Sequence, residues 1–118
     1  MRAVPGFKVE VRRDGLTVVI APSGEVDLAT VDQLWDAFGE TKGCSVIVLD
    51  LRGVPFMGSA GLSLVVGEHR RALREGFEYR VVRGSVAVQR LFEMIGLAQQ
   101  IRFTPAVGVD ADAGALGV

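Results

Sequence analysis

The sequence predicts a single α/β domain, a mixed β-sheet of four to five strands with helices packed against it. Two observations carry that prediction. After an initial hairpin, stretches of period 2 and period 3.6 alternate along the chain in the order ββαβαβα(β), which argues for a mostly parallel or mixed sheet with helices laid on it. One short run, Ser45 to Leu51 ("SVIVLDL"), is almost continuously apolar and β-branched. Strands buried on both faces have that composition, so this one belongs in the middle of the sheet. The 118 residues make one domain, able to bury roughly 65% of the unfolded chain's surface.

The elements follow in order. In "FKVEVR" (Phe7 to Arg12) Phe7, Val9 and Val11 alternate with Lys8, Glu10 and Arg12, the pattern of a half-buried strand. Asp14-Gly15 supplies a hairpin turn of type I′, which needs positive φ at both central positions. "LTVVIAP" (Leu16 to Pro22) is the returning strand, stopped by Pro22 and Ser23-Gly24. From Leu28 the period changes: Val31, Leu34, Trp35 and Phe38 mark one helical face, with Asp27 as N-cap and Gly39 and Gly43 bracketing the end. A second helix after the central strand presents Leu62, Val65, Val66, His69 and Leu73, and ends at Gly76. "YRVVR" (Tyr79 to Arg83) is a short strand. Ser85 caps a third helix with apolar face Val88, Leu91, Phe92 and Ile95, closed by Gly96. "IRF" (Ile101 to Phe103) is a brief last strand, and residues 105–118 read as weak helix or disorder. The core spans about 7–104, no linker divides it, and 1–118 is one domain.

Composition excludes several function classes. Net charge is −1, with both signs interspersed, so neither nucleic acid nor an anionic membrane is indicated. The single cysteine, Cys44, permits no internal disulfide and no multi-cysteine metal motif, and reads as a semi-buried free thiol. No apolar run approaches the roughly 20 residues that cross a bilayer, and the N-terminus has no signal-peptide pattern. The expectation is a cytoplasmic protein with no cofactor and no metal.

The segment that invites chemistry is "FMGSAGL" (Phe56 to Leu62), where the central strand hands over to a helix. Ser59 has three readings: nucleophile, modification site or helix cap. A nucleophile elbow is G-x-S-x-G, whereas Gly58 directly precedes Ser59. The only histidine, His69, lies ten residues on, about 15 Å along a shared helix, beyond reach of proton transfer. His69 is then a partly buried helix residue. Neither a P-loop nor a G-x-G-x-x-G pattern is present. Glu25, Asp27 and Asp50 are three scattered acids, a weak metal signal. No enzymatic reading is supported.

The same residues resemble a known family. "VIVLDLRGVPFMGSAGLSLVVGEHRR" resembles the core motif of the STAS domain of anti-sigma factor antagonists: a β-branched strand, then Asp-Leu-x-x-Val-x-Phe-Met/Ile-Asp-Ser-Ser/Ala-Gly-Leu. "SGEVDLAT" (Ser23 to Thr30) is similar to that family's Gly-Glu-Leu/Val-Asp block, and "AVQRLFEMIGLAQQIRF" (Ala87 to Phe103) to its third helix and last strand. The likeness covers about residues 7 to 104 in three correctly ordered blocks. It implies a single STAS-like α/β domain that works by partner switching. The unmodified protein binds an anti-sigma factor that is a serine kinase of the histidine-kinase-like ATPase fold, and frees a sigma factor for transcription. The kinase ends binding by phosphorylating the motif serine, and a metal-dependent serine phosphatase reverses it. By position the phosphorylated residue is Ser59. The alternative is a STAS subunit of a larger assembly, a stressosome-like scaffold or a lipid-transport ATPase partner, without a phospho-switch.

The resemblance also implies a partner surface of Glu25, Asp27, Met57, Gly58, Ser59, Ala60 and Gly61, on a protein that is monomeric when free. Met57 is expected where the family exposes an apolar residue, and Trp35 in core packing. The pattern departs at Gly58, which stands where the family has aspartate.

Overall fold

In the computed structural model, which describes residues 4–104, sequence order and spatial order of the strands coincide. β1 (Lys8–Asp14), β2 (Thr17–Ser23), β3 (Val46–Asp50), β4 (Glu78–Val82) and β5 (Phe103–Thr104) stand side by side in one sheet. β1 and β2 form the antiparallel hairpin, and each later pair is parallel. Helices α1 (Val31–Gly39), α2 (Ser59–Glu75) and α3 (Val86–Met94) fill the crossovers. The three crossovers step the same way along the sheet, and the right-handed rule for such connections places all three helices on one face. There, Val18, Ile20, Ile47, Leu49 and Val81 pack with Leu34, Phe38, Leu64, Val65, Val88 and Phe92. A separate small cluster, Val19, Val48 and Val82, lies on the reverse face. The mixed five-strand sheet and the central place of β3 are as the sequence predicts.

Several local expectations are corrected. The hairpin turn is Gly15-Leu16, because Asp14 pairs with Thr17. Only Gly15 has positive φ, +61°, the arrangement of a type II′ rather than a type I′ turn. β1 is the sheet edge, so Val11 stays 48% exposed despite the alternation. Helix α1 begins at Val31 with Thr30 at the N-cap position, not Asp27. Trp35 is 39% exposed and leans over α2, its ring edge 3.3 Å from where a Gly67 Cβ would lie.

The buried side of α2 is Gly61, Leu64, Val65, Glu68 and Ala72, rotated from the expected stripe. Leu73 faces solvent and His69 is half-buried. The cause is a charged core position. Glu68 is buried because Arg71 donates to it through Nε at 2.9 Å, while a second guanidinium nitrogen reaches Thr41 Oγ1 at 3.1 Å. Burial works against the Arg71 charge, but the hydrogen bond and charge of Glu68, with help from Glu75, outweigh it and raise its pKa. In α3, Ser85 caps as expected, its Oγ accepting the Val88 N–H at 3.2 Å. Ile95 is half exposed rather than buried. Cys44 is a half-buried free thiol with the Arg13 guanidinium 3.4 Å from its sulfur. Among the described residues no helix is long and apolar enough to cross a membrane. The expectation for 105–118 lies outside the described residues.

Candidate functional site

The loops leaving β2 and β3 continue the parallel pairing beyond the strands. The Gly24 N–H donates to the Gly53 carbonyl oxygen at 2.9 Å, Val26 to Phe56 at 3.1 Å, and Gly58 to Val26 at 2.9 Å. Ser23 is thereby paired with Gly53, and Val26 with Met57. The two loops form one ledge at the carboxyl ends of the strands, the place where open α/β sheets put their working surface. The sequence builds it with a buried anchor in each loop, Val26 and Met57, both wholly out of solvent. They close over Gly61, where a Cβ would lie 2.4 Å from Met57 Cγ and 2.9 Å from Val26 Cγ1. Only glycine lets α2 come this close.

Asp27 organises the first loop. Its Oδ1 accepts the N–H groups of Ala29 at 2.9 Å and Thr30 at 3.2 Å, and its carbonyl oxygen accepts the Val31 N–H at 2.9 Å. Thr30 Oγ1 donates to the Glu25 carbonyl oxygen at 2.8 Å. The Asp27 carboxylate therefore caps the turn that precedes α1 rather than the helix itself. The Glu25 side chain is exposed beside it.

Ser59 is the first residue of α2 and is exposed. The N-cap position is Gly58, with φ −91° and ψ −172° and no capping side chain, so Ser59 is not the helix cap. Its hydroxyl makes no hydrogen bond to the described residues. The N–H groups of the first turn, ahead of the Leu62 N–H that bonds to Gly58 at 3.1 Å, have no intrahelical acceptor. A shallow depression of about 400 Å³ lies in front of them, lined by Asp27, Leu28, Ala29, Gly58, Ser59 and Ala60. Of the residues expected at a partner surface, five share this ledge's outer side: Glu25, Asp27, Gly58, Ser59 and Ala60. Met57 and Gly61 do not; both are buried, because they form the joint that holds the ledge to α2. The apolar residues on the surface are Phe56, half exposed, and Leu28, 86% exposed. Sequence reasoning did not place either at the site. The i, i+3 spacing from Leu28 to Val31 would have put it on the buried stripe of α1, and its exposure follows from the helix starting only at Val31.

The chemistry available here is limited. Ser59 and His69 lie on one helix ten residues apart, about 15 Å. Asp50 is occupied by Arg52, whose Nε and Nη2 reach its two oxygens at 3.0 and 2.7 Å. Among the described residues no group of acids, histidine and cysteine is placed to hold a metal ion. What remains is an exposed hydroxyl at a positive helix end, framed by apolar and acidic side chains. Such a surface can bind, and its hydroxyl can be modified.

Comparisons with known proteins bear on the family and the fold. The model of the STAS domain family matches residues 8–109. An anti-sigma F factor antagonist of Paenibacillus polymyxa is 30% identical over 94 residues, spanning 77% of this chain and 80% of that protein. The crystal structure of an anti-sigma factor antagonist from Mycobacterium paratuberculosis superposes with a TM-score of 0.79, at 25% identity over 98% of this chain and 97% of the other. The anti-sigma factor antagonist SpoIIAA in its unphosphorylated form matches with a TM-score of 0.72, at 26% identity over 95% and 97% of the two chains. A structure of the Bacillus SpoIIAA in its phosphorylated form shares the fold, with a TM-score of 0.68 at 24% identity over 89% and 95%. The ordered motifs, the five-strand sheet with three helices on one side and the family match over most of the chain together make this protein a member of the STAS domain family.

Proposed function

We propose that this chain is an anti-sigma factor antagonist, which binds an anti-sigma factor through the ledge around Ser59 and is released when that partner, acting as a serine kinase, phosphorylates Ser59. A serine phosphatase then restores binding, and the cycle controls sigma factor release. The observation that carries the reading is the position of Ser59: exposed, its hydroxyl unbonded, at the first residue of α2, beside a depression rimmed by Leu28 and Asp27. The relatives' names support the antagonist role. The unphosphorylated and phosphorylated forms of SpoIIAA support a phospho-switch by analogy.

The energetics suit a switch of partners rather than of fold. A phosphate at a helix N-terminus meets free N–H groups and the positive end of the dipole, a favourable site worth about 0.3–1 kcal/mol. It adds about −1.5 to −2 charges to the contact surface. Burying such a charge unpaired under a partner costs several kcal/mol, and about 1.4 kcal/mol is already tenfold in affinity. The protein's own part is to bind and to present a hydroxyl; no catalytic step is assigned to it.

The test is capture of the anti-sigma factor from the source lysate, then incubation of the pair with ATP and Mg²⁺ and measurement of intact mass. The wild type gains one phosphoryl group and dissociates, whereas Ser59→Ala gains none and stays bound. Equal labelling of Ser59→Ala would defeat the proposed site. Failure to recover any anti-sigma factor would defeat the partner.

A further inference from the structure

Among the described residues no strand pairs with the outer side of β1, which is an edge of the sheet. Its seven residues run beside β2 without a bulge or a proline, two devices that commonly blunt an exposed edge. The two-residue turn makes Asp14 and Thr17 a hydrogen-bonded pair, and bonding alternates from there. Asp14, Arg12, Glu10 and Lys8 therefore direct their backbone groups to β2. Pro22, which has no N–H, falls opposite Val9, where none is needed. The N–H and carbonyl groups of Val9, Val11 and Arg13 point outward. Side chains divide the same way: Val9, Val11 and Arg13 take the helix side, in register with Pro22, Ile20 and Val18, and Lys8, Glu10, Arg12 and Asp14 the other. Every residue of β1 except Val9 is exposed. None of the four charged residues on the helix-free side is in an ion pair with a described residue. On the helix side Val11 is 48% exposed and borders, with Val9 and Ala37, an open groove of about 300 Å³.

The order of charges along this edge is complementary to itself. Two copies of β1 set antiparallel about Val11 oppose Val11 with Val11 and Val9 with Arg13. These are the residues whose backbone groups point outward, so each opposed pair can exchange two hydrogen bonds. On the other face the same register opposes Lys8 with Asp14 and Glu10 with Arg12, opposite charges at every position. A slip of two residues one way opposes Glu10 with Glu10 and Lys8 with Arg12. The other way it opposes Arg12 with Arg12 and Glu10 with Asp14. Opposite charges facing across strands are favourable and like charges are not, so the charges select one register and one occupant. A slip of one residue puts the side chains on the wrong faces. Asp36 and Glu40 line the groove on the helix side and bring like charges toward the axis, and a single strand is a small contact. The association therefore belongs to the weak, reversible class. We propose that the chain forms a two-fold homodimer through β1, joining two sheets into one, in place of the free monomer that the resemblance implies. The axis stands normal to the sheet and reverses strand direction, so the two Ser59 ledges lie at opposite ends and both stay open.

Sedimentation velocity over a concentration series of the full chain, with no other protein present, tests this directly. The wild type should pass reversibly from monomer to dimer by millimolar concentration. Glu10→Arg and Arg12→Glu should each weaken association about tenfold or more, because each turns attractive pairs into repulsive ones. An equimolar mixture of the two variants should dimerise again, since opposite charges then face each other at both positions. The double variant Glu10→Arg/Arg12→Glu should dimerise for the same reason. A wild type that stays monomeric at millimolar concentration would overturn the proposal and leave the edge to a strand of another protein. A dimer that both single variants leave intact would belong to another surface and overturn it too, as would folded variants whose mixture does not recover. Amide exchange in the wild type needs no variant. The N–H groups of Val9, Val11 and Arg13 should become several-fold better protected as concentration rises, while those of Glu10 and Arg12 are protected throughout. Exchange at Val11 that does not change with concentration would overturn the proposal even if the variants failed to fold.

Discussion

The Gly58 N–H donates to the Val26 carbonyl oxygen at 2.9 Å, and this bond ties the loop bearing Asp27 to the residue before Ser59. The ledge is a rigid extension of the sheet, so a charge placed on Ser59 has little freedom to move aside from a docked partner. Ser59→Asp should separate stability from binding. A carboxylate in the first turn of α2 is favourable by about 0.3–1 kcal/mol, so the melting temperature holds or rises slightly. Affinity for the anti-sigma factor falls tenfold or more. Thermal unfolding by circular dichroism and titration calorimetry read the two effects; equal loss of both would mean that the ledge had unfolded.

Gly61 is the site residue most sensitive to a single methyl group. In Gly61→Ala the new carbon meets Met57 Cγ at 2.4 Å and Val26 Cγ1 at 2.9 Å. Overpacking of that kind costs about 1–3 kcal/mol, and the gain in helix propensity returns at most about 1. Urea unfolding should show a net loss of about 1–2 kcal/mol. Met57→Ala in the same chain should recover part of it, so the double change is less damaging than the two single ones added together.

Much of this was legible in the sequence, and the exceptions have identifiable causes. The strands, the three helices and the loop carrying Ser59 follow from periodicity and turn residues, which are local. Met57 was expected on the surface because it follows Phe56 at the strand exit, where the resembled family exposes an apolar residue. Its burial depends on Val26, 31 positions earlier, which no local pattern links to it. The face of α2 was misjudged for a similar reason. Glu68 reads as solvated until Arg71 and Thr41 are seen to enclose it. The N-cap reading of Ser59 failed by one residue, the ordinary uncertainty of a helix boundary.

Tyr79 offers a prediction in the alkaline range. Its hydroxyl is buried and has no hydrogen-bond partner among the described residues. Burial, with the nearby Glu68 charge, holds its pKa well above the usual value, and Arg71 only partly offsets this. The neutral phenol is therefore the native form. Its contribution is fully present below the unfolded pKa of about 10 and is lost as pH rises from there through the folded value, since the unfolded chain releases the proton first. Stability should fall above about pH 10. As the chain's one tyrosine, Tyr79 can be followed alone by tyrosinate absorbance, which should rise only with unfolding. Tyr79→Phe removes an unsatisfied hydroxyl and should gain about 1 kcal/mol at neutral pH, with a flatter alkaline limb.

Gly58 is the departure from the family pattern, and the structure indicates how a side chain there would behave. Its φ of −91° and ψ of −172° are extended backbone open to any residue. A Cβ would lie 4.0 Å from its nearest neighbour, the Val26 carbonyl oxygen. Glycine is therefore not required by conformation or by space. In Gly58→Asp the new carboxylate takes the empty N-cap position of α2. Capping adds a few tenths of a kcal/mol over glycine, and the stiffer unfolded chain adds about 0.4–1. The unmodified protein should gain about 1 kcal/mol, or about 4 °C in melting temperature. The same carboxylate would sit next to a phosphate on Ser59, and each would compete for the first-turn N–H groups. Phosphorylation should thus raise or preserve the melting temperature in the wild type and lower it in Gly58→Asp. Scanning calorimetry of the four species measures this coupling. A melting temperature that moves by the same amount on phosphorylation in both backgrounds would show that the two anions do not share the helix end.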